Sequence, residues 1–310
     1  MIAKFGEMFA FEGRFVPMLR LTVLAFTFAF TLGASAQTAP KWTKALPNLP
    51  DTIALHENVP CSKIGDYVVP LNVYVPKAPG TYPAILLIHG GGWQKRQIDA
   101  DKPLAERLAA RGYVVAQVAY RLSTEAKYPA ALHDCKAALR FLRANAQEYK
   151  LDPKRIGVMG GSAGGHLSGL VGLTGGLKAL EGTGGNPEQS TEIKACVVMA
   201  ATMDLIAANK DKNSEGHITF FGPILENRDV YVEASPITHV SKNSPPTFFI
   251  EGEKDTLKIG RAEMQEKLRA HGIPTELITL KDAPHPFWMS QPWLDETVKA
   301  AGDWFDKYLK

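Results

Sequence analysis

The 310-residue sequence predicts an α/β fold with a mostly parallel central sheet and helices on both of its faces. Short apolar runs alternate along the chain with segments whose apolar residues recur every three or four positions. Several of these runs are continuous, which is typical of parallel strands buried on both faces. The composition, 45% hydrophobic and 22% charged, is that of an ordinary globular domain.

The apolar runs predict seven strands, at residues 67–75, 84–88, 113–118, 155–159, 193–199, 247–250 and 275–280. Five helices are predicted between and after them. The first covers 104–110 and ends at Gly112, the second is entered through Pro129, and the third begins just after Ser162. The fourth stops at Gly272, and an amphipathic helix closes the chain.

Two stretches interrupt the alternation of strands and helices. Residues 175–191 are rich in glycine and polar side chains, and residues 204–243 lack a clear strand or helix period. The second stretch is too long for a plain connection. It predicts a small inserted cap, or a wall of the active site.

The N-terminal region has the order of a secretory signal. An uncharged apolar run at 21–32 follows Arg20, and an A-x-A site at 34–36 precedes Gln37. We expect a signal peptide at 1–36, a mature domain at 37–310 and a secreted or periplasmic protein. The run is shorter than the roughly 20 residues that span a bilayer, which favours no stable membrane insertion after cleavage over a retained anchor. Three methionines are candidate starts: Met1, Met8 and Met18.

Charge and cysteines limit the classes of partner. The formal net charge is only +3 and no cluster of basic residues stands out, so nucleic acid is not an expected partner. Cys61, Cys135 and Cys196 form no C-x-x-C pair and have no histidine at metal spacing, so no metal site is predicted. Cys135 and Cys196 fall on apolar patterns and suit buried hydrophobic positions. Whether any disulfide forms is left open.

A nucleophile motif lies between a predicted strand and a predicted helix. Residues 160–164 match G-x-S-x-G, in which glycines permit a sharp turn that exposes the Ser162 hydroxyl. A phosphate-binding loop is the alternative, but a Walker loop needs Lys after Gly165, where His166 stands. The dinucleotide pattern fails as well, because Ser162 lies two residues after Gly160. Ser162 is therefore the predicted nucleophile.

A second glycine run, His-Gly-Gly-Gly-Trp at 89–93, follows an early strand. Glycines there let backbone N–H groups approach a substrate closely, and such donors stabilise the negative oxygen of a tetrahedral intermediate. The segment therefore predicts an oxyanion hole. A flexible loop is the alternative interpretation of the run taken alone.

The acid and the base are predicted from chain order. His285 follows the last predicted strand and comes after every candidate acid, as the order Ser, acid, His requires. Asp255 follows the strand at 247–250 and is the expected acid, with Glu253 and Asp282 as its rivals. The other histidines have structural interpretations: His166 packs on the nucleophile helix, and His271 caps a helix end.

Two polar residues near these motifs have no predicted chemical role, and four aromatic residues have two open interpretations. Arg121 and Asp134 are expected to form an internal ion pair. Four aromatic residues flank the catalytic motifs and suit either core packing or the binding of an aromatic or sugar ring. They are Trp93, Phe287, Trp288 and Trp293, of which Trp93 and Trp288 are the predicted substrate-binding residues.

Five motifs together carry a family resemblance: H-G-G-G-W at 89–93, Y-R-L at 120–122, G-G-S-A-G-G-H at 160–166, E-K-D at 253–255 and H-P-F-W at 285–288. From about Leu55 to the C-terminus the chain resembles α/β-hydrolase esterases related to hormone-sensitive lipase, and more narrowly bacterial acetyl-xylan and feruloyl esterases. The resemblance implies that the N–H groups of Gly91, Gly92 and Ala163 are the oxyanion donors. The chain lacks the long helical cap that many of these relatives carry before H-G-G-G, which favours a more open site.

The resemblance implies a serine carboxylic ester hydrolase that removes acetyl or feruloyl groups from plant-wall polysaccharide. A general short-chain carboxylesterase acting on small or synthetic esters is one alternative. A serine peptidase or amidase is another, although such peptidases usually carry a β-propeller for which this chain has no room. An inactive binding protein of the same fold is disfavoured by the intact triad positions. No cofactor is expected, because the protein itself supplies the nucleophile, the base and the oxyanion donors.

Overall fold

A computed structural model describes residues 49–209 and 215–310, so the predicted signal peptide at 1–36 lies outside the described residues. Within these ranges one sheet has the strand order β1-β2-β4-β3-β5-β6-β7-β8. β2 pairs antiparallel with β1 and β4, and all other neighbours are parallel. The strands are β1 (Ile53–Ile64), β2 (Tyr67–Pro76), β3 (Tyr82–Ile88), β4 (Val114–Val118), β5 (Leu151–Gly161), β6 (Ala195–Met199), β7 (Thr247–Gly252) and β8 (Thr275–Leu280).

All seven predicted strands are confirmed as β2 to β8, with shifted ends, and the five predicted helices are confirmed as α1, α2, α3, α7 and α8. The helices are α1 (Lys102–Ala110), α2 (Ala130–Ala144), α3 (Ala163–Leu173), α4 (Leu205–Ala208), α5 (Glu215–Phe221), α6 (Arg228–Glu233), α7 (Arg261–Ala270) and α8 (Trp293–Leu309). The first strand, β1, was not predicted. It is an edge strand with exposed polar residues at its centre, so it lacks the apolar pattern of the others.

The core has two layers, one on each face of the sheet. In β3, Ala84, Leu86 and Ile88 face the layer formed with α2 and α3. Ile85 and Leu87 alternate with them and face the layer formed with α1 and α8. Burying one such side chain contributes about 2 kcal/mol, so a continuous apolar strand is stable only with helices on both sides. The predicted doubly covered sheet is confirmed.

Ion pairs at buried positions brace the loops around α2. Asp134, fully buried, accepts hydrogen bonds from the Arg121 guanidinium at 2.7 and 2.9 Å, which confirms the predicted internal pair. Lys136, also buried, lies 2.9 Å from Glu181 and donates to the Thr174 carbonyl. The contacts of Lys136 hold the glycine-rich segment 175–191 against α2.

The three cysteines lie in the described part of the chain, and each is buried and free. Burial raises the pKa of the Cys61 thiol to about 12. Cys135 in α2 and Cys196 in β6 occupy core positions, as their apolar patterns predicted. No helix within the described ranges combines the length and the apolar character that crossing a bilayer requires.

Candidate active site

Ser162 is the single residue between β5 and α3, and its backbone is at φ 58° and ψ −124°. Positive φ is uncommon for a residue with a side chain and marks a turn that its surroundings hold in place. The close packing around this turn leaves no space for side chains at Gly160 and Gly164. A Cβ at Gly164 would lie 2.0 Å from the Ile88 carbonyl oxygen, and one at Gly160 would lie 2.4 Å from the same atom. The turn therefore has the form that the G-x-S-x-G motif predicted.

The glycine run after β3 lies directly beside this turn. A Cβ at Gly90 would be 3.5 Å from the Ser162 Cβ. Gly91 and Gly92 have φ of 102° and 60°, and a side chain at Gly91 would overlap the Lys95 carbonyl. Among the described residues, the N–H groups of Gly91, Gly92 and Ala163 donate no backbone hydrogen bond. Ala163 also opens α3, where the helix dipole favours negative charge.

Tyr120, whose role the sequence did not indicate, holds the carbonyls of this oxyanion loop. Its buried hydroxyl donates to the His89 carbonyl at 3.0 Å and to the Gly90 carbonyl at 3.3 Å. The His89 ring stacks on the Tyr120 ring at 4.3 Å and donates from Nδ1 to the Gly90 carbonyl at 2.7 Å. Burial lowers the pKa of His89 to about 4, so its imidazole is neutral at pH 7. Tyr120 and His89 follow the adjacent parallel strands β4 and β3, which is the signal that could have found the pair.

The predicted acid and base are in direct contact with each other. The His285 Nδ1 lies 2.7 Å from an Asp255 carboxylate oxygen, and the other oxygen accepts the Leu257 N–H at 2.8 Å. The Asp255 side chain is 2% exposed, whereas that of His285 is 32% exposed. A buried carboxylate fixes the ring, and the open side of the ring can reach a substrate.

The two rival acids have structural roles between the same loops. Glu253 accepts the backbone N–H of Asp282 at 2.9 Å, and the Asp282 carboxylate lies 2.8 Å from the Lys254 ammonium. Asp282 itself has φ 55°. These contacts join the loop after β7 to the loop after β8. The geometry therefore pairs His285 with Asp255 and leaves both rivals outside that contact.

The prediction that Trp93 and Trp288 present their rings to a substrate needs correction. Trp288 is 1% exposed and belongs to the core, where its indole N–H donates to Asp101 at 3.0 Å. Trp93 is 7% exposed and stacks on Phe220 at 5.4 Å. Both rings are covered by neighbouring side chains, so packing against the catalytic loops is their observed role.

An aromatic cluster fills the space beside the oxyanion loop. It consists of Trp93, His166, His217, Phe220, Phe221 and Tyr231. Helix α5, from the stretch predicted as a cap or wall, supplies three of these rings. A Cβ at Gly216 in α5 would lie 3.8 Å from the Gly92 carbonyl oxygen. His166 packs as predicted, with Nε2 donating to the Ala234 carbonyl at 2.7 Å, and burial lowers its pKa to about 4.

Comparison with known proteins agrees with this geometry. The BD-FAE family model matches residues 71–263, more than half of the chain. The chain belongs to this family. Carboxylesterase NlhH of Mycobacterium tuberculosis is 29% identical over 279 residues, which cover 84% of this chain and 85% of NlhH. The probable carboxylic ester hydrolase LipM of the same organism is 32% identical over 57% of this chain and 42% of LipM. The chain thus spans less than half the length of LipM.

Solved structures show the same fold. A truncated carbohydrate esterase from gut microbiota has a TM-score of 0.74 and 26% identity, over 83% of this chain and 97% of that one. A bifunctional GH43-CE protein of Bacteroides eggerthii has a TM-score of 0.72 and 30% identity, over 84% of this chain and 38% of that protein. The α/β-hydrolase fold expected from the sequence motifs is confirmed.

Proposed function

We propose that the protein is a serine carboxylic ester hydrolase and that its substrates are short acyl esters, with acetylated plant-wall polysaccharide as the natural class. One observation carries the proposal. Ser162 stands in a positive-φ turn between a β-strand and a helix, with the glycine-rich loop beside it. The Trp288 ring contacts both this turn and the His285 ring of the Asp255–His285 pair. The esterase names of NlhH, LipM and the gut carbohydrate esterase support the same class.

In the first step, the Ser162 Oγ attacks the ester carbonyl carbon while His285 Nε2 takes the hydroxyl proton. Asp255 accepts the Nδ1–H of His285, which keeps Nε2 free as the base and stabilises the imidazolium. The carbonyl oxygen becomes an oxyanion. The N–H groups of Gly91, Gly92 and Ala163 would bind it, each contributing about 3 to 4 kcal/mol when judged by removal.

Collapse of this intermediate breaks the bond to the alcohol, which leaves with the proton from His285 Nε2. An acyl group then remains on Ser162. A water molecule gives a proton to His285 and attacks the acyl carbon, and the second tetrahedral intermediate releases the carboxylic acid. Ser162 regains its proton from His285, so the enzyme returns to its starting state.

The aromatic cluster supports a short acyl group. An acyl chain bound to Ser162 under the oxyanion donors extends from a carbon next to Gly92 and the first turn of α3. Trp93, Phe220 and Phe221 fill that neighbourhood and are each at most 7% exposed. Acetyl therefore fits better than feruloyl on this side, and a polysaccharide would lie on the open side near His285. Export, as the N-terminal sequence predicts, would bring the enzyme to such a polymer.

The test compares p-nitrophenyl esters from acetyl to decanoyl, acetylated xylan and methyl ferulate, using the wild type and Ser162→Ala. We expect the highest kcat/KM for acetyl or butyryl esters, acetate release from xylan, and a loss of several orders of magnitude in Ser162→Ala. Hydrolysis of small esters without acetate release from xylan would support a general short-chain carboxylesterase instead. Activity of Ser162→Ala above about a tenth of the wild type would refute the nucleophile.

The limit that the aromatic cluster sets on acyl length can be tested with Phe221→Ala, which removes a buried ring from α5. Opening this space should raise kcat/KM for hexanoyl relative to acetyl by about tenfold, which corresponds to burying about two more methylenes at about 0.8 kcal/mol each. Ile218→Ala, an exposed position on the same helix, is the matched control and should leave the ratio unchanged. An unchanged ratio in Phe221→Ala would place the acyl group elsewhere.

A further inference from the structure

Asp101 is a buried carboxylate that forms no ion pair within residues 49–209 and 215–310. It ends a short 3₁₀ turn at Ile98–Asp101, which continues from the oxyanion loop into α1. Its side chain is covered, and the indole N–H of Trp288 donates to Oδ1 at 3.0 Å. Its second oxygen, Oδ2, has no hydrogen-bond partner within the described residues. Such burial is costly for a carboxylate, and it raises the pKa of Asp101 to about 7.

The partner of Asp101 touches two parts of the catalytic machinery. The Trp288 ring stands edge-on to the His285 ring at 5.3 Å and 86°. The same ring also packs against the nucleophile turn, where it would overlap a Cβ at Gly161. The indole therefore contacts both the base and the residue that precedes Ser162. A small rotation of this ring would move His285 relative to Ser162.

We propose that Asp101 is a positioning residue whose hydrogen bond fixes the Trp288 ring and thereby the spacing between His285 and the Ser162 turn. This inference rests on the proposed esterase function. An apolar residue would fill the site beneath the ring at lower cost than an unpaired carboxyl group. What the carboxyl group adds is direction, because its bond to Nε1 permits one orientation of the indole. The bond also connects the chain after the oxyanion loop to the loop that carries His285.

The key comparison is between Asp101→Asn and Asp101→Leu. Asparagine keeps an oxygen that accepts from Trp288, whereas leucine has a similar size and no acceptor. We expect Asp101→Leu to lower kcat for p-nitrophenyl acetate about tenfold or more, since small misplacements of a catalytic group have effects of this size. KM should change by less than about twofold, because the contact lies away from the substrate. Asp101→Asn should stay within about threefold of the wild type.

Trp288→Phe removes the other partner of the same hydrogen bond. It should lower kcat to a similar extent, and the double variant Asp101→Leu/Trp288→Phe should lose little more than either single variant. Glu106→Leu is the matched control, because it removes another buried carboxyl group from the adjacent helix α1. It should change thermal stability without changing kcat. If Asp101→Leu does not fold, the comparison of Asp101→Asn with Trp288→Phe carries the test.

Labelling of Ser162 by a fluorophosphonate separates this inference from the proposed function. Wild-type protein that labels but hydrolyses none of the esters would refute the proposed substrates, while slower labelling of Asp101→Leu would still support the positioning role. Folded Asp101→Leu with unchanged kcat and labelling rate would overturn the inference. Equal losses in Asp101→Asn and Asp101→Leu would overturn it too, because the acceptor oxygen would then be irrelevant.

Discussion

The two sides of Ser162 are built from different interactions. On the histidine side, Asp255 contacts His285, and the His285 ring contacts the Trp288 ring. The Trp288 indole in turn donates a hydrogen bond to Asp101. On the oxyanion side, neutral rings pack around a loop whose shape depends on glycines, with Tyr120 holding its carbonyls. The first side controls where a proton goes, and the second controls where a carbonyl and its acyl group fit.

This difference assigns different consequences to mutations on each side. A change on the histidine side should lower the rate for every ester alike, because all esters need the same proton transfer. A change in the aromatic cluster on the oxyanion side should alter the ranking of esters by acyl length. Variants that change the rate for all esters without changing their order of preference, or the reverse, therefore test whether the two sides act independently.

The largest effect within this comparison is expected from Asp255→Asn. An amide favours the wrong tautomer of His285 and leaves its imidazolium without a counter-charge, so kcat should fall by about 10⁴. The ratio of activities on acetyl and butyryl esters should stay the same. Steady-state kinetics on both esters measures the two quantities together.

Asp282→Asn is the control for that variant, because Asp282 lies on the same side and forms its ion pair with exposed Lys254. We expect less than about a threefold change in kcat, as surface pairs contribute little. A greater loss of kcat in Asp282→Asn than in Asp255→Asn would mean that Asp255 is not the catalytic acid. The description of the histidine side would then be wrong.

Tyr120→Phe tests the oxyanion side with a smaller expected effect. The variant keeps the ring that stacks on His89 but removes the hydroxyl that donates to the His89 carbonyl, and it leaves the Gly90 carbonyl with the His89 ring as its donor. A buried acceptor left unpaired costs about 1 to 3 kcal/mol, and part of that cost can be relieved by a shift of the loop. We expect kcat to fall about tenfold and binding of a boronic acid, which forms a tetrahedral adduct with Ser162, to weaken in proportion.

Tyr74→Phe is the matched control for this oxyanion-side variant. Tyr74 is equally buried and donates to Gln117 at 3.1 Å, on the other face of the sheet from Tyr120. It should lose stability by a similar amount and keep its kcat. Equal kinetic behaviour of the two variants would mean that Tyr120 contributes only to folding.

The sequence predicted the parts of the site that depend on local chain geometry. Ser162 and the loop at 89–93 were found because a sharp turn and a close backbone approach both require glycines at fixed spacing. His285 and Asp255 were found from chain order after parallel strands. The contact between Asp101 and Trp288 could not be predicted, because the two residues are 187 positions apart and only the packed core brings them together. For the same reason, the sequence left the burial of Trp93 and Trp288 open.

The two sides should also differ in how the stability of the fold depends on pH. His166 on the oxyanion side keeps a pKa of about 4 in the folded protein, below its ordinary value of 6.5. Between these values the unfolded chain takes up a proton that the folded protein does not, so stability is lost as the pH falls from 6.5 to 4. Asp101 on the histidine side has a pKa of about 7, above its ordinary value of 3.8. The folded protein keeps that proton up to a higher pH than the unfolded chain does, so stability is lost as the pH rises from 3.8 to 7.

Urea unfolding of the wild type, His166→Gln and Asp101→Asn between pH 4 and 7.5 measures both slopes. Each variant replaces a titrating group with an amide that can keep the same hydrogen bond. Relative to His166→Gln, the wild type should lose about 3 kcal/mol between pH 6.5 and 4. Relative to Asp101→Asn, it should instead gain stability on acidification from pH 7, by a similar order of magnitude. Opposite directions of pKa shift require that the stability difference between wild type and variant changes with pH in opposite directions for the two variants. Changes in the same direction would contradict the opposite pKa shifts of His166 and Asp101.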